Sequence, residues 1–166
     1  MLRPKIQEAF NAHVTEELFS ANLYLAMAAY ADAKAFRGFG RWLRVQHEEE
    51  LAHARKLLDH LLDRGGTAAI GVIAAPGAEF GSTLQLFEKV QEHERKVTQS
   101  LEAFYALAGA EHDAATQVFL QWFVTEQVEE EKSVQEIVDR LKMVGDRLGS
   151  VLYLDKEYGK RGKTAG

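Results

Sequence analysis

Cysteine is absent from this chain of 166 residues. Its absence excludes disulfides, thiolate zinc sites, iron–sulfur clusters and c-type haem attachment, and it suits a reducing compartment, so the cytoplasm is the default location. A long apolar run is missing too. The longest, Leu18 to Ala31, is closed off by Glu17 and Asp32, and the opening MLRPKIQEAF has no stretch of signal-peptide length, so no membrane span is expected. Nor is there a basic stripe. With 20 Lys and Arg against 25 Asp and Glu the net charge is -5, and the scattered cations argue against nucleic acid as a partner. The terminal KEYGKRGKTAG is a local exception and reads as a solvated tail. At 46% hydrophobic and 27% charged residues, the length suits one domain, 1–166, with a sizeable core.

Four stretches carry apolar side chains at helical spacing. The first begins just after Pro4 and runs to about Ala33, with Ile6, Phe10, His13, Glu17, Ala21, Tyr24 and Ala28 on one stripe. The second follows the Gly38 and Gly40 region and stops before Gly65, with Phe39, Leu43, Gln46, Glu50, His53, Leu57 and Leu61 in register. A third starts near Ser82 or Thr83 and carries Phe87, Val90, Glu94, Val97, Leu101, Phe104 and Ala108 to a stop at Gly109. The fourth opens after Asp113, lines up Leu120, Phe123, Gln127, Glu130, Val134, Ile137 and Leu141, and ends at Gly145. These define a bundle over about 5–145, followed by a short helix at about 147–157 and a polar tail, 158–166.

The one long connection, Gly65 to Gly81, holds Pro76 and five of the 13 glycines. About 17 extended residues reach roughly 56 Å, whereas a helix of about 25 residues is roughly 38 Å long. The loop can therefore travel the whole bundle, which makes the second and third helices parallel and each short-linked pair antiparallel. The expected fold is all-α, a four-helix bundle with one crossover. IGVIAAPG is apolar for a loop and is expected to pack against another subunit.

Each stripe is interrupted by a residue able to bind metal: Glu17, then Glu50 with His53, then Glu94, then Glu130. A carboxylate in a helical core costs several kcal/mol unless paired or bound to a cation, so these positions demand a shared counter-charge. Alone, the Glu-x-x-His at Glu50 and His53 is a common coincidence. Its register changes that, because both side chains project from the apolar face and the other glutamates lie near the middles of their helices. Carboxylates bridge hard cations, and a single imidazole adds affinity for Fe(II) over Mg or Ca.

Through HEEELAHA around Glu50, HERKVT around Glu94 and FLQWFVTEQVEEE from Phe119 to Glu131, the chain resembles the non-haem ferritins of bacteria and archaea over nearly its whole length. The resemblance implies a ferroxidase centre in which Glu17, Glu50 and His53 hold one iron. Glu50 bridges to a second iron held by Glu94 and Glu130, with Gln127 beside it. Glu49, Glu126 and Glu129 match a third iron site that shares Glu130, while Tyr24 and Trp122 match aromatics near the centre. Haem-binding relatives carry a methionine where this chain has Ala52 and a second histidine on the last bundle helix, so no haem is expected. His47, His60, His93 and His112 match no ligand and read as surface or partly buried side chains.

The same resemblance implies two Fe(II) giving electrons to O2 or H2O2, and storage of the ferric product in a hollow shell of twenty-four subunits. Three rivals remain. A rubrerythrin-type oxidase or peroxidase would want a doubled Glu-x-x-His or a rubredoxin-like domain, and a DNA-protecting mini-ferritin an interface site and basic arm. A non-catalytic structural bundle would place Leu or Ala at positions 17, 50, 94 and 130.

Overall fold

The computed structural model describes residues 2–162, and five helices make up its regular structure: α1 (Pro4–Ala33), α2 (Arg37–Asp63), α3 (Thr83–Ala110), α4 (Ala114–Val144) and α5 (Leu148–Tyr158). Polar pairs across the interfaces give the directions. Ala21 and His47, Asp32 and Arg44 tie α1 to α2 head to tail. Lys5 with Glu111 and Ser20 with His93 do the same for α1 and α3, and Arg64 with Asp113 and Gln46 with Glu130 for α2 and α4. Since α2 and α3 each oppose α1, they run parallel, and the connection between them is the crossover.

That crossover lies along α1 on a ladder of side chains. Gln7 accepts from the Thr67 amide at 2.9 Å, Asn11 from Ala69 at 2.9 Å and Thr15 from Gly71 at 2.9 Å. The spacing is commensurate: two extended residues advance about 6.6 Å while four helical residues advance about 6.0 Å. Beyond the ladder Ile70 and Val72 are 56% and 96% exposed.

Helix ends follow local chemistry in three places. Ser82 forms a reciprocal capping box with Gln85, Asp113 caps α4 by accepting from the Thr116 amide, and Gly145 ends α4 at φ +57°. Two expectations fail. Helix α2 does not follow Gly38 and Gly40 but contains both, and α3 runs past Gly109, the chain turning instead at His112 with φ +54°. Glycine makes room at Gly38, against backbone, and at Gly40, against Asp32, whereas at Gly109 it faces only the movable end of Gln117. A Cβ on Gly38 would lie 1.7 Å from the Asp155 carbonyl oxygen, one on Gly40 2.2 Å from Asp32 Oδ1, and one on Gly109 2.8 Å from Gln117 Nε2. Phe36 offers no side chain to cap α2, and Asp155 of α5 supplies one, accepting from the Phe39 amide at 2.8 Å.

Of the tail expected to be solvated, residues 159–162 fold back on α2, with Arg41 donating to the Arg161 carbonyl at 3.2 Å. Residues 163–166 lie outside the described residues. Among the described residues no helix is long and apolar enough to cross a membrane.

All the residues named on the four stripes are buried. The apolar ones form two clusters. One gathers Tyr24, Met27, Phe39, Leu43, Phe87 and Ile137, and the other Ile6, Phe10, Leu57, Leu61, Phe104 and Leu120. Between them lies a polar layer.

Candidate metal centre

The layer is built from mid-helix positions, where backbone groups are already paired and cannot serve the side chains. Glu17 comes from α1, Gln46, Glu50 and His53 from α2, Glu94 from α3, and Gln127 and Glu130 from α4, all buried. Glu17, Glu50 and His53 each present a ligand atom within 4.8 Å of the other two. His53 Nδ1 lies 3.1 Å from Glu50 Oε2, as the i, i+3 spacing predicts. Glu17 Oε2 is buried with no hydrogen-bond partner. A buried orphan oxygen of this kind is costly unless something positive fills the space before it.

The other two carboxylates are held by donors. Tyr24 donates its phenol proton to Glu94 Oε1, and Gln127 Nε2 donates to Glu94 Oε2 at 3.0 Å. Gln46 Nε2 donates to Glu130 Oε2 at 2.8 Å. Gln46 is fully buried, and its Oε1 has no partner. It sits one turn before Glu50 on the stripe, and that buried amide was the signal that could have marked it as part of the centre.

Electrostatics center on Glu50. Burial pushes Glu50 upward, but hydrogen bonds with His53 and Glu17 outweigh this and hold its carboxyl below the usual range. The others pay for that charge. Burial and then Glu50 raise Glu94 to about 8 and Glu130 to about 7, and the same two causes raise Glu17 well above the carboxylate range. Burial lowers His53, yet its bond and proximity to Glu50 raise it above its ordinary value. Among the described residues, the only ion-pair partner of Glu17, Glu50, Glu94 or Glu130 is His53. Four buried carboxylates with no lysine or arginine paired to them fit a divalent cation pair, with carboxylate-rich ligation and one imidazole.

The outer candidates are arranged differently. Glu49 is half-buried and bonds to Arg161 at 2.6 Å instead of turning into the layer. Glu126 is half-buried and lies near enough to His53 to help raise its pKa, while Glu129 is exposed. Trp122 packs edge-to-face on His53 at 5.5 Å, is 41% exposed, and carries Lys56 over its ring at 3.9 Å. His93 is half-buried, with Nε2 2.8 Å from Ser20 Oγ. Ala52 lies on the exposed side of α2.

A four-helix bundle with one crossover and such a carboxylate layer defines the ferritin-like class of folds. The ferritin-like domain family matches residues 7–144. A bacterial non-heme ferritin of Bacteroides fragilis is 41% identical over 161 residues, covering 97% of this chain and 100% of the relative. One from Escherichia coli is 36% identical over 157 residues, covering 95% of each. An open-pore ferritin from the archaeon Archaeoglobus fulgidus superposes with a TM-score of 0.96 at 43% identity, covering 97% of this chain and 99% of the other. The chain belongs to the ferritin family.

Proposed function

We propose that this protein is an iron-storage ferritin whose whole chain forms one di-iron domain with ferroxidase activity. The observation that carries the reading is the buried ring of Glu17, Glu50, His53, Glu94 and Glu130, which among the described residues has no lysine or arginine partner and leaves Glu17 Oε2 orphaned. Fe(II) is the substrate. Glu17, Glu50 and His53 hold one ion, and Glu94 and Glu130 the other, with Glu50 shared. Each pair of Fe(II) supplies two electrons, reducing O2 to H2O2 or H2O2 to water. The protons that Glu94 and Glu130 hold near neutral pH leave as the ions enter, because only the carboxylate binds metal. Tyr24, Gln127 and Gln46 keep the two carboxylates aimed.

Storage calls for a shell, and self-association is supported by apolar side chains left on the single subunit. Leu25, Leu62, Ile70 and Val72 are all exposed, the last two on the crossover. Hydrogen exchange that is slow at residues 70–75 in the assembled protein supports this, and full exchange there rejects it. The resemblance to non-haem ferritins makes twenty-four subunits the expected number, and the lack of cysteine makes the cytoplasm the expected location.

Anaerobic titration with Fe(II), followed by O2 and a count of iron retained per oligomer after gel filtration, tests the whole reading. Storage predicts tight uptake of two ions per subunit and retention of far more iron than that once oxidised. Oxidation without retention supports the rubrerythrin-type alternative. No binding at all returns the chain to a structural bundle.

A further inference from the structure

The inner ring has no arginine, but the carboxylate beside it does. Glu49 and Glu50 are neighbours on α2, so their side chains diverge by about 100° around the helix. Glu50 enters the layer, and Glu49 Oε2 accepts from Arg161 Nη2 at 2.6 Å. Arg161 comes from the far end of the chain, and several contacts fix where its backbone lies. An ideal Cβ on Gly159 would fall 2.7 Å from Gly38 Cα, so α5 ends against the start of α2 at a distance that only glycine permits. Asp155 bonds to the Phe39 amide at 2.8 Å, and Arg41 donates to the Arg161 carbonyl at 3.2 Å. The guanidinium carbon then stacks 4.5 Å from the ring centroid of buried Trp42.

The tip of this side chain is held by one ion pair and its stacking on Trp42, and by no further hydrogen bond among the described residues. Nη2 has Glu49, whereas Nη1 is buried with no hydrogen-bond partner among the described residues. The guanidinium charge also reaches Glu130, which it draws downward against burial and Glu50. The backbone is thus anchored while the charged end can leave Glu49 at the cost of one charge-assisted bond and its stacking on Trp42.

We propose that Arg161 is a tethered cation that competes with a third metal ion for Glu49, so that a third ion binds only when the guanidinium swings away. This rests on the reading of Glu49, Glu126, Glu129 and Glu130 as a third cation position. A dication and a guanidinium cannot both sit against one carboxylate without strong mutual repulsion, so the arginine makes that position the weakest of the three. The two paired positions have no ligand hydrogen-bonded to Arg161 and feel it only through its charge at Glu130, so they are weakened far less.

The test is calorimetric titration of the assembled, metal-free protein with Fe(II) under anaerobic conditions and with Zn(II) as a redox-inert probe. Arg161→Gln should tighten the weakest site by about tenfold or more, the size of one charge-assisted hydrogen bond, leave the Glu17 position unchanged and alter the Glu94 and Glu130 position far less than the weakest one. A wild-type protein that takes two ions beside an Arg161→Gln protein that takes three supports the same conclusion. Glu49→Gln should remove the third ion whichever residue stands at 161. If the third ion is present, is lost in Glu49→Gln and binds Arg161→Gln with wild-type affinity, Arg161 does not compete and the third position survives. If neither wild type nor Arg161→Gln takes a third ion, or Glu49→Gln keeps it, the third position itself is rejected and the proposal with it. A second measurement works in the unmodified arginine background. With Trp122→Phe, Trp42 is the sole remaining tryptophan of two. Its emission should change with the third Zn(II) equivalent and not with the first two, and an unchanged emission across all three overturns the swing.

Discussion

Glu17 and Glu94 are both buried mid-helix carboxylates in one polar layer, yet their surroundings are opposite. Glu17 leaves Oε2 without a partner, while Glu94 has both oxygens engaged, by Tyr24 and Gln127. Glu130, on the same side as Glu94, is held by Gln46. One half of the centre therefore keeps an unpartnered carboxyl oxygen beside the Glu17–Glu50 hydrogen bond, and the other, Gln46 Oε1 apart, is a preformed cradle whose donors must yield part of their bonding. The difference teaches that the two proposed metal positions are not equivalent. An ion at Glu17, Glu50 and His53 relieves an existing penalty. On the proposed assignment an ion at Glu94 and Glu130 would exchange one set of good contacts for another, so the first position is expected to fill before the second.

Because Glu50 belongs to both halves, Glu50→Ala has the largest effect. Both ions should be lost, and iron oxidation should fall by more than about 100-fold, beyond the 10–100-fold that outer partners of a ligand typically cost. Stopped-flow oxidation and anaerobic titration together check this. A Glu50→Ala, Glu94→Ala double variant that oxidises iron at the wild-type rate refutes the assignment.

Single-sided variants come next and separate the halves. Glu17→Gln should abolish the first and tightest phase of Fe(II) binding, and Glu94→Gln the second, leaving the first in place. The metal-free proteins should also differ. Glu17→Leu removes a buried, unpartnered carboxyl oxygen and should cost the metal-free fold little, whereas Glu94→Leu strands Tyr24 and Gln127 without their acceptor and should lower the thermal midpoint. Equal shifts in the two would mean that the contrast between the halves is not energetic.

Gln46→Leu acts on one half through a neighbour. It leaves Glu130 without its donor and should weaken the second ion by about 10–100-fold while the first changes little. Titration resolves the two phases. Gln46 is also the clearest case of a site residue hidden in plain reading. Glu17, Glu50, His53, Glu94 and Glu130 stood out because charge on an apolar stripe is rare, but a glutamine there looks like any tolerated polar residue until its partner is known. The helices were legible for the same local reason: every stripe position is set by neighbours three and four residues away, and all of them are buried. What escaped was set by distant chain. Gly38 and Gly40 look like helix breakers until Asp155 and Asp32 are seen pressing on them, and Arg161 looks like a solvated tail residue until α5 delivers it to Glu49. The crossover was legible in length, but its ladder on Gln7, Asn11 and Thr15 depends on matching two different rises per residue.

A smaller effect follows from pH in the metal-free protein. Glu94 and Glu130 titrate near 8 and 7 in the fold against an ordinary 4.5, and Glu17 is raised as well. The native state then binds more protons than the unfolded chain, so stability is complete below about pH 4.5 for these groups and declines as pH rises through 7 and 8. The denaturation midpoint of the metal-free protein should fall between pH 6 and pH 8.5, and divalent metal should flatten the slope. A midpoint that rises over this range would show that these carboxyls are ionised without difficulty, and the argument for a buried counter-cation would lose its basis.

The smallest effect is expected at Trp122. Its ring meets His53 edge-to-face at 5.5 Å and Phe123 at 4.9 Å, touching only the half that contains Glu17. A phenylalanine keeps an apolar edge against the imidazole, and the loss is confined to the indole surface under Lys56 on the solvent side. No ligand carboxylate depends on it. Trp122→Phe should therefore bind both ions within about twofold of wild type, well inside the 10–100-fold scale of a true outer partner. Stopped-flow oxidation should follow binding. A drop in rate with binding intact would give Trp122 a redox role on the Glu17 side alone, and the two halves would then differ in electron supply as well as in hydrogen bonding.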